Sequence, residues 1–167
     1  MIVIGIDPGV NGGLAVFGGD SDEFAACKAA PFTTISEVKS LLADLCEESY
    51  AWRLKAFIEE PPAFFKGACG GLASQAKLHR SLGQYEGLLM GFEIPFETVT
   101  PQKWQKGLPG LAGLAGKERK KALHNLASQR HPQLRPTLKT CDAILIAEYG
   151  RLSLIHISEP TRQEAIS

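Results

Sequence analysis

The sequence predicts a single α/β domain with a five-stranded mixed sheet flanked by helices. Two observations carry that prediction. Short β-branched runs alternate with segments whose apolar residues recur at helical spacing, and the order is three strands, a helix, a strand, a helix, a strand and two helices. In addition, two of the short runs end in carboxylates, Asp7 and Glu59. At 167 residues and 44% hydrophobic content, the chain supports one core of substantial size but not two.

Ile2 to Ile6 is apolar and β-branched except for Gly5, which suits a central strand covered on both faces, with Asp7 where the strand runs out. Pro8, Gly9, Asn11, Gly12 and Gly13 supply a tight turn, and Leu14 to Phe17 restart an antiparallel strand. Phe24 to Ala29 completes the meander after a Gly/Asp/Ser turn. Thr34-Ile35-Ser36-Glu37 reads as a capping box, and Ile35, Val38, Leu41, Leu42 and Leu45 continue the helix to about Tyr50. Leu54 to Ile58 is the next strand, closed by Glu59-Glu60 and broken by Pro61-Pro62. The Gly- and aromatic-rich segment from Ala63 to Gly71 reads as a loop. Leu78, Leu82, Tyr85 and Leu89 then line one helical face. Phe96 to Thr100 is a strand stopped by Pro101, and Gly107 to Gly116 is expected to be a mobile loop. Lys117 to Gln129 is a basic helix with Leu123, Leu126 and Ala127 inward, and Cys141 to Tyr149 is a final apolar helix carrying Asp142 near its start.

Net charge is zero, but it is unevenly placed. From Lys103 to Lys139 nine basic residues face one acid, Glu118, whereas the first 102 residues carry seven basic and thirteen acidic. Such a chain can present a positive face to a phosphate backbone and keep an acidic pocket elsewhere. The four cysteines form no C-x-x-C pair, so neither a zinc site nor a disulfide framework is indicated. No apolar run approaches the roughly 20 residues that span a bilayer, and the start does not read as a secretory signal, so a cytoplasmic protein without a membrane partner is expected. The segment from Leu152 to Arg162 resembles the translation of a sequencing-library adapter. Residues 1–151 are therefore read as the single domain and 152–167 as a non-native tail.

The order of elements resembles the ribonuclease H-like plan, which implies that the ends of the first and fourth strands lie side by side. Asp7 and Glu59 then become neighbours, and Asp142 at a helix start is able to join them. Three hard oxygen donors favour Mg²⁺, with Mn²⁺ as a substitute. A pair of such ions activates water and stabilises a leaving oxygen, which is the chemistry of phosphodiester hydrolysis.

Ile4-Gly5-Ile6-Asp7-Pro8-Gly9, Ile58-Glu59 and Asp142-Ala143-Ile144-Leu145-Ile146-Ala147 together resemble the RuvC family of Holliday junction resolvases, in the style of its phage and metagenomic branch. The similarity extends from Met1 to about Gly150 and includes Thr100 to Lys106 and Gly116-Lys117. It implies a homodimer that binds a four-way DNA junction and makes paired nicks with Mg²⁺. By position it implies Asp7, Glu59 and Asp142 as catalytic metal ligands, with Lys106 and Lys117 beside the scissile phosphate. Lys103, Lys106, Lys117, Arg119, Lys120, Lys121 and Lys139 are the candidate DNA contacts.

One departure stands out. The family commonly places an acid or a histidine three residues before the last aspartate, on the same helical face, and here that residue is Lys139. Glu60, a strand neighbour of Glu59, points to the other side, and Glu148 faces away from Asp142. Phe64 and Phe65 follow the Glu59 strand and are candidates to stack on opened bases, or to pack in the core or a dimer contact. For Trp104, packing against the sheet is favoured over DNA contact. His79, His124 and His131 read as surface residues or phosphate neighbours, not metal ligands. Alternative functions are a structured-RNA nuclease of the same fold, or a junction-binding protein with impaired catalysis. An actin-like ATPase is excluded by the absence of a second phosphate loop.

Overall fold

The computed structural model describes residues 1–9, 12–18, 28–30, 34–48, 53–61 and 71–158. Its first strand, β1 (Ile2–Asp7), shows why a sequence with period-two alternation builds a sheet covered on both sides. Ile4 and Ile6 enter one core, while Val3 enters another across the sheet, with Gly5 and Asp7 on that second side. β2 (Gly13–Phe17) runs antiparallel to β1 with Ile6 opposite Leu14, and distributes its side chains in the same way. The third strand, β3 (Lys28–Ala30), pairs antiparallel with β2 at the edge. β4 (Leu54–Glu59) is parallel to β1, and β5 (Phe96–Val99) is parallel to β4, so the order across the sheet is β3-β2-β1-β4-β5.

The expected mixed sheet is present, with one of its five strands reduced. Four strands form the body of the mixed sheet, and the described part of the third is a three-residue edge. The Phe24 end of that predicted strand lies outside the described residues.

On the Ile4 side lie α1 (Ile35–Glu48) and α2 (Gly71–Gly91), which contribute Val38, Leu42, Tyr85 and Leu89 to the core. The predicted capping box starts α1: the Glu37 N–H donates to Thr34 Oγ1 at 3.4 Å, and the Thr34 N–H donates to the Glu37 carboxylate at 3.1 Å. On the Val3 side lie α3 (Pro101–Trp104), α4 (Gly116–Arg130) and α5 (Cys141–Ser158).

Gly5 is what lets α5 lie on β1. A Cβ at this position would run into the Ala143 carbonyl oxygen, the Ala147 nitrogen and the Ala147 side chain, so only glycine permits the helix backbone to approach. Gly150 performs the same service against the Phe57 ring. These two contacts set where the start of α5, and with it Asp142, falls above the sheet.

Three further features differ from the sequence expectation. The short helix α3 follows β5 directly, because Thr100 caps it (Oγ1 accepts the Lys103 N–H at 3.3 Å) and Pro101 suits its first turn. The 107–116 segment is irregular, with four glycines at positive φ, but it is anchored where mobility was expected. Leu111 is buried in the core, and Arg119 donates to the Leu114 carbonyl (3.1 Å), the Leu111 carbonyl (3.3 Å) and Gln105 Oε1 (2.8 Å). Finally, α5 continues past Tyr149 to Ser158, into the segment read as adapter-derived, and Leu154 packs on the edge of the core. Among the described residues, no helix is long and apolar enough to cross a membrane.

Candidate active site

The parallel register of β1 and β4 brings the first two carboxylates together. Gly5 lies opposite Phe57 and Ile6 opposite Ile58, so one further step sets Asp7 beside Glu59, both on the α5 side of the sheet. The third carboxylate, Asp142, arrives from the first turn of α5.

Each is held by a specific donor. Asp7 Oδ1 accepts the Gly9 N–H at 2.9 Å, and the turn is closed by the Gly12 N–H donating to the Gly9 carbonyl at 2.8 Å. A Cβ on Gly12 would collide with the Asp7 carbonyl, so this turn requires glycine there. Glu59 Oε2 accepts the indole N–H of Trp104 at 3.0 Å. Asp142 Oδ2 accepts from the Lys120 ammonium at 2.6 Å, with the Asp142 side chain 14% and the Lys120 side chain 33% exposed.

Burial and crowding of like charge dominate the electrostatics. Burial pushes the Glu59 carboxyl up to about 8, and the neighbouring Asp7 and Asp142 charges push the same way; the Trp104 hydrogen bond and Lys120 oppose them. Asp7 is raised too, first by burial and then by Asp142, against the Gly9 hydrogen bond and Lys120. Burial works against the Lys120 charge, but Asp142 outweighs it and holds the ammonium above its ordinary value.

The donor set fits a hard divalent cation in its chemistry. Three carboxyl groups share a largely buried position with a single ammonium, so ionising all of them there is costly without a further cation. The described residues do not form a closed cage: no three His, Cys, Asp or Glu side chains stand close enough together to coordinate one ion. Asp142 is engaged by Lys120, so a cation here would share or take over that oxygen.

The lysine that touches a carboxylate is Lys120, on Asp142, which the sequence offered only as a DNA contact; Lys106 and Lys117 were expected beside the scissile phosphate, not on the carboxylates. Those two are exposed, and their side chains make no hydrogen bond or ion pair among the described residues. The sequence does hold a signal for Lys120. It lies three residues before the inward Leu123 and seven before the inward Ala127, on the buried stripe of α4. Of the other basic residues, Lys121 and Lys139 are exposed, Lys103 pairs with Glu97 at 2.9 Å, and Arg119 anchors the 107–116 turns. Lys139 stands in the turn before α5, where its backbone N–H donates to Thr137 Oγ1 at 3.3 Å, so it does not share a helical face with Asp142. Phe64 and Phe65 lie outside the described residues.

Two residues do more than the sequence suggested. Trp104, 2% exposed, packs in the core as expected and also holds Glu59. His131 is no surface residue: it is 3% exposed, packs edge-on against Phe17, and sits 3.0 Å from Glu148, which also accepts from Arg130 at 2.7 Å. Burial pushes the Glu148 carboxyl up, but the hydrogen bond to His131 and the Arg130 guanidinium outweigh it and hold the group below its usual range. Glu60 is exposed.

The mixed sheet in the order β3-β2-β1-β4-β5, covered by helices on both faces, is an α/β fold with known counterparts. Solved structures share this fold. A RuvC structure from Thermus thermophilus is 17% identical, covers 95% of this chain and 98% of its own, and superposes with a TM-score of 0.59. T. thermophilus RuvC in complex with a Holliday junction substrate is 15% identical, with coverages of 93% and 96% and a TM-score of 0.62. A Fowlpox virus resolvase in complex with substrate Holliday junction DNA is 15% identical, with coverages of 95% and 100% and a TM-score of 0.50. The chain therefore has the ribonuclease H-like fold in the form taken by RuvC. No family model and no curated protein sequence matches it.

Proposed function

We propose that this protein is a divalent-cation-dependent endonuclease that resolves four-way DNA junctions by paired phosphodiester hydrolysis, acting as a homodimer. The observation that carries the reading is the convergence of Asp7, Glu59 and Asp142 from β1, β4 and α5 on one face, with Lys120 against them. Two of the structures sharing the fold are complexes with Holliday junction DNA, which favours branched DNA over other phosphodiesters.

Asp7, Glu59 and Asp142 are the residues that would hold Mg²⁺ or Mn²⁺. When bound, the cation supplies an activated water and charge stabilisation at the leaving oxygen. The protein's own part is orientation and charge. Gly9 fixes one oxygen of Asp7 and Trp104 fixes one of Glu59, so that each of these keeps an oxygen for the site, while both oxygens of Asp142 are engaged, Oδ2 by Lys120 and Oδ1 by the Cys141 thiol at 3.3 Å. Lys120 also lowers the cost of ionising Asp7 and Glu59. Lys106, Lys117 and Lys121 remain exposed and suit the DNA backbone, where contacts of this kind give affinity and register but no sequence preference.

The test is cleavage of a labelled four-way junction, with duplex DNA and structured RNA as controls, by the wild type and by Asp7→Asn, in Mg²⁺ and then Mn²⁺. Paired, metal-dependent nicks on the junction alone, absent in Asp7→Asn, are expected. Junction binding without nicks in either metal, or cleavage confined to RNA, would overturn the proposal.

A further inference from the structure

Trp104 is the first buried group behind the carboxylates, and its place follows from a chain of local causes. Thr100 and Pro101 start α3, one turn brings residue 104 over the sheet, and the ring joins Val99, Leu111 and Leu123 in the core. A buried indole N–H needs an acceptor, and Glu59 Oε2 supplies it at 3.0 Å. Because the ring is 2% exposed and packed on all sides, it is the stiffer partner of the two. Glu59 lies at the end of its strand, where the backbone leaves the sheet towards Pro61, so the strand alone leaves its side-chain torsions unset. The indole therefore engages Oε2 and leaves Oε1 without a protein donor among the described residues.

From this geometry we infer that Trp104 is a positioning residue for the divalent cation: it holds Glu59 Oε2 so that the other oxygen is presented to the ion. The inference rests on the proposed metal-dependent reading of the site. Removing the donor while keeping an aromatic ring frees Glu59 to rotate. An outer partner of a metal ligand characteristically contributes about 10- to 100-fold in affinity or activity.

The experiment compares the full chain as wild type, Trp104→Phe and Leu134→Ala. Leu134 belongs to the same core, in the turn Pro132–Leu134 between α4 and α5, and takes no part in the hydrogen bonds that hold Asp7, Glu59 and Asp142, so its truncation reports stability loss alone. Mn²⁺ binding, read by electron paramagnetic resonance and by calorimetry, should weaken by about 10- to 100-fold in Trp104→Phe and stay unchanged in Leu134→Ala. Junction nicking by Trp104→Phe should recover when the cation concentration is raised. Wild-type Mn²⁺ affinity in Trp104→Phe, or an equal loss in Leu134→Ala, overturns the inference while leaving the proposed function standing. A wild type that binds no Mn²⁺ removes both.

If Trp104→Phe does not fold, the Trp104 indole N–H resonance of the wild type gives the answer. It should be protected from solvent exchange, lose that protection in Glu59→Ala, and shift on adding Mg²⁺. An indole signal indifferent to both changes also overturns the inference.

Discussion

Replacing Glu59 by glutamine should stabilise this protein, and the gain should grow with pH. Unfolded, Glu59 ionises near its ordinary value of 4.5; folded, burial first and then Asp7 and Asp142 carry it to about 8. Below the unfolded value it is protonated in both states and costs folding nothing. Between the two values folding must take up a proton, and each pH unit removes about 1.4 kcal/mol of stability. The accumulated loss is about 3 kcal/mol at pH 7 and levels off near 5 kcal/mol above pH 8. The substituted amide is never charged, and its carbonyl oxygen still accepts from Trp104, so the variant keeps the hydrogen bond and loses the penalty. Urea denaturation of both proteins from about pH 5 to pH 9 without divalent cation reads this directly. The gap should open from under about 1 kcal/mol at pH 5 to about 3 kcal/mol at pH 7. Mg²⁺ at about 100 times its dissociation constant should stabilise the wild type at pH 8 by about 2.7 kcal/mol and leave Glu59→Gln nearly unmoved. A gap that does not change with pH, or one that favours the wild type at about pH 8, would refute the account of the site as an under-neutralised acidic cluster.

Further outcomes follow from the same structure. Lys120→Met removes the cation that lowers the Asp7 and Glu59 values, so the alkaline shift of the pH–rate profile for junction cleavage, together with a fall of about a hundredfold in rate at neutral pH, checks its role. Lys117→Met, on the exposed first turn of α4, should instead leave that pH profile in place and reduce the salt dependence of junction binding by about one charge. Gly5→Ala inserts a methyl into the backbone of α5 and should cost at least about 3 kcal/mol in chemical denaturation, beyond ordinary overpacking because backbone is the obstacle. Glu148 has a lowered value in the fold, so its pairing with His131 and Arg130 stabilises above the unfolded value of 4.5 and is lost as pH falls through the folded value. Glu148→Ala should cost about 2 to 3 kcal/mol at pH 7 and progressively less in acid, as followed by thermal melting at several pH values. Ending the chain at Arg151 removes Leu154 from the edge of the core and should cost about 1 kcal/mol with junction cleavage retained; loss of folding would show that the segment after Arg151 belongs to the domain.

Much of the site's frame was legible along the chain, because period-two alternation and turn chemistry act over a few residues. That Asp7 and Glu59 close their strands was legible, and the ribonuclease H-like order made them neighbours; the structure adds that both lie on the side opposite Ile4, Ile6, Ala56 and Ile58. The capping box at Thr34 and the break at Pro61-Pro62 are equally local. Gly5 was visible as an exception in a β-branched run, but its reason was not: the obstacle that forbids a side chain is the backbone of α5, from a distant part of the chain.

What the tertiary structure decided is which member of each crowded set does the work. Four lysines and an arginine lie between Lys106 and Lys121, and the rotation of α4 against α5 is what turns Lys120, and not Lys117, onto Asp142. The buried stripe through Leu123 and Ala127 contained that information, yet a lysine on an apolar stripe is interpretable only once its acidic partner is known. Trp104 likewise reads as core, and it is; the acceptor for its N–H comes from a strand 45 positions earlier. His131 reads as a surface residue for the same reason, since Glu148 and Phe17 come from other elements. Hydrogen-bond partners and buried charge pairs depend on how helices dock on the sheet, a long-range packing result that no window of sequence contains, whereas strand faces, caps and turns follow from the chemistry of adjacent residues.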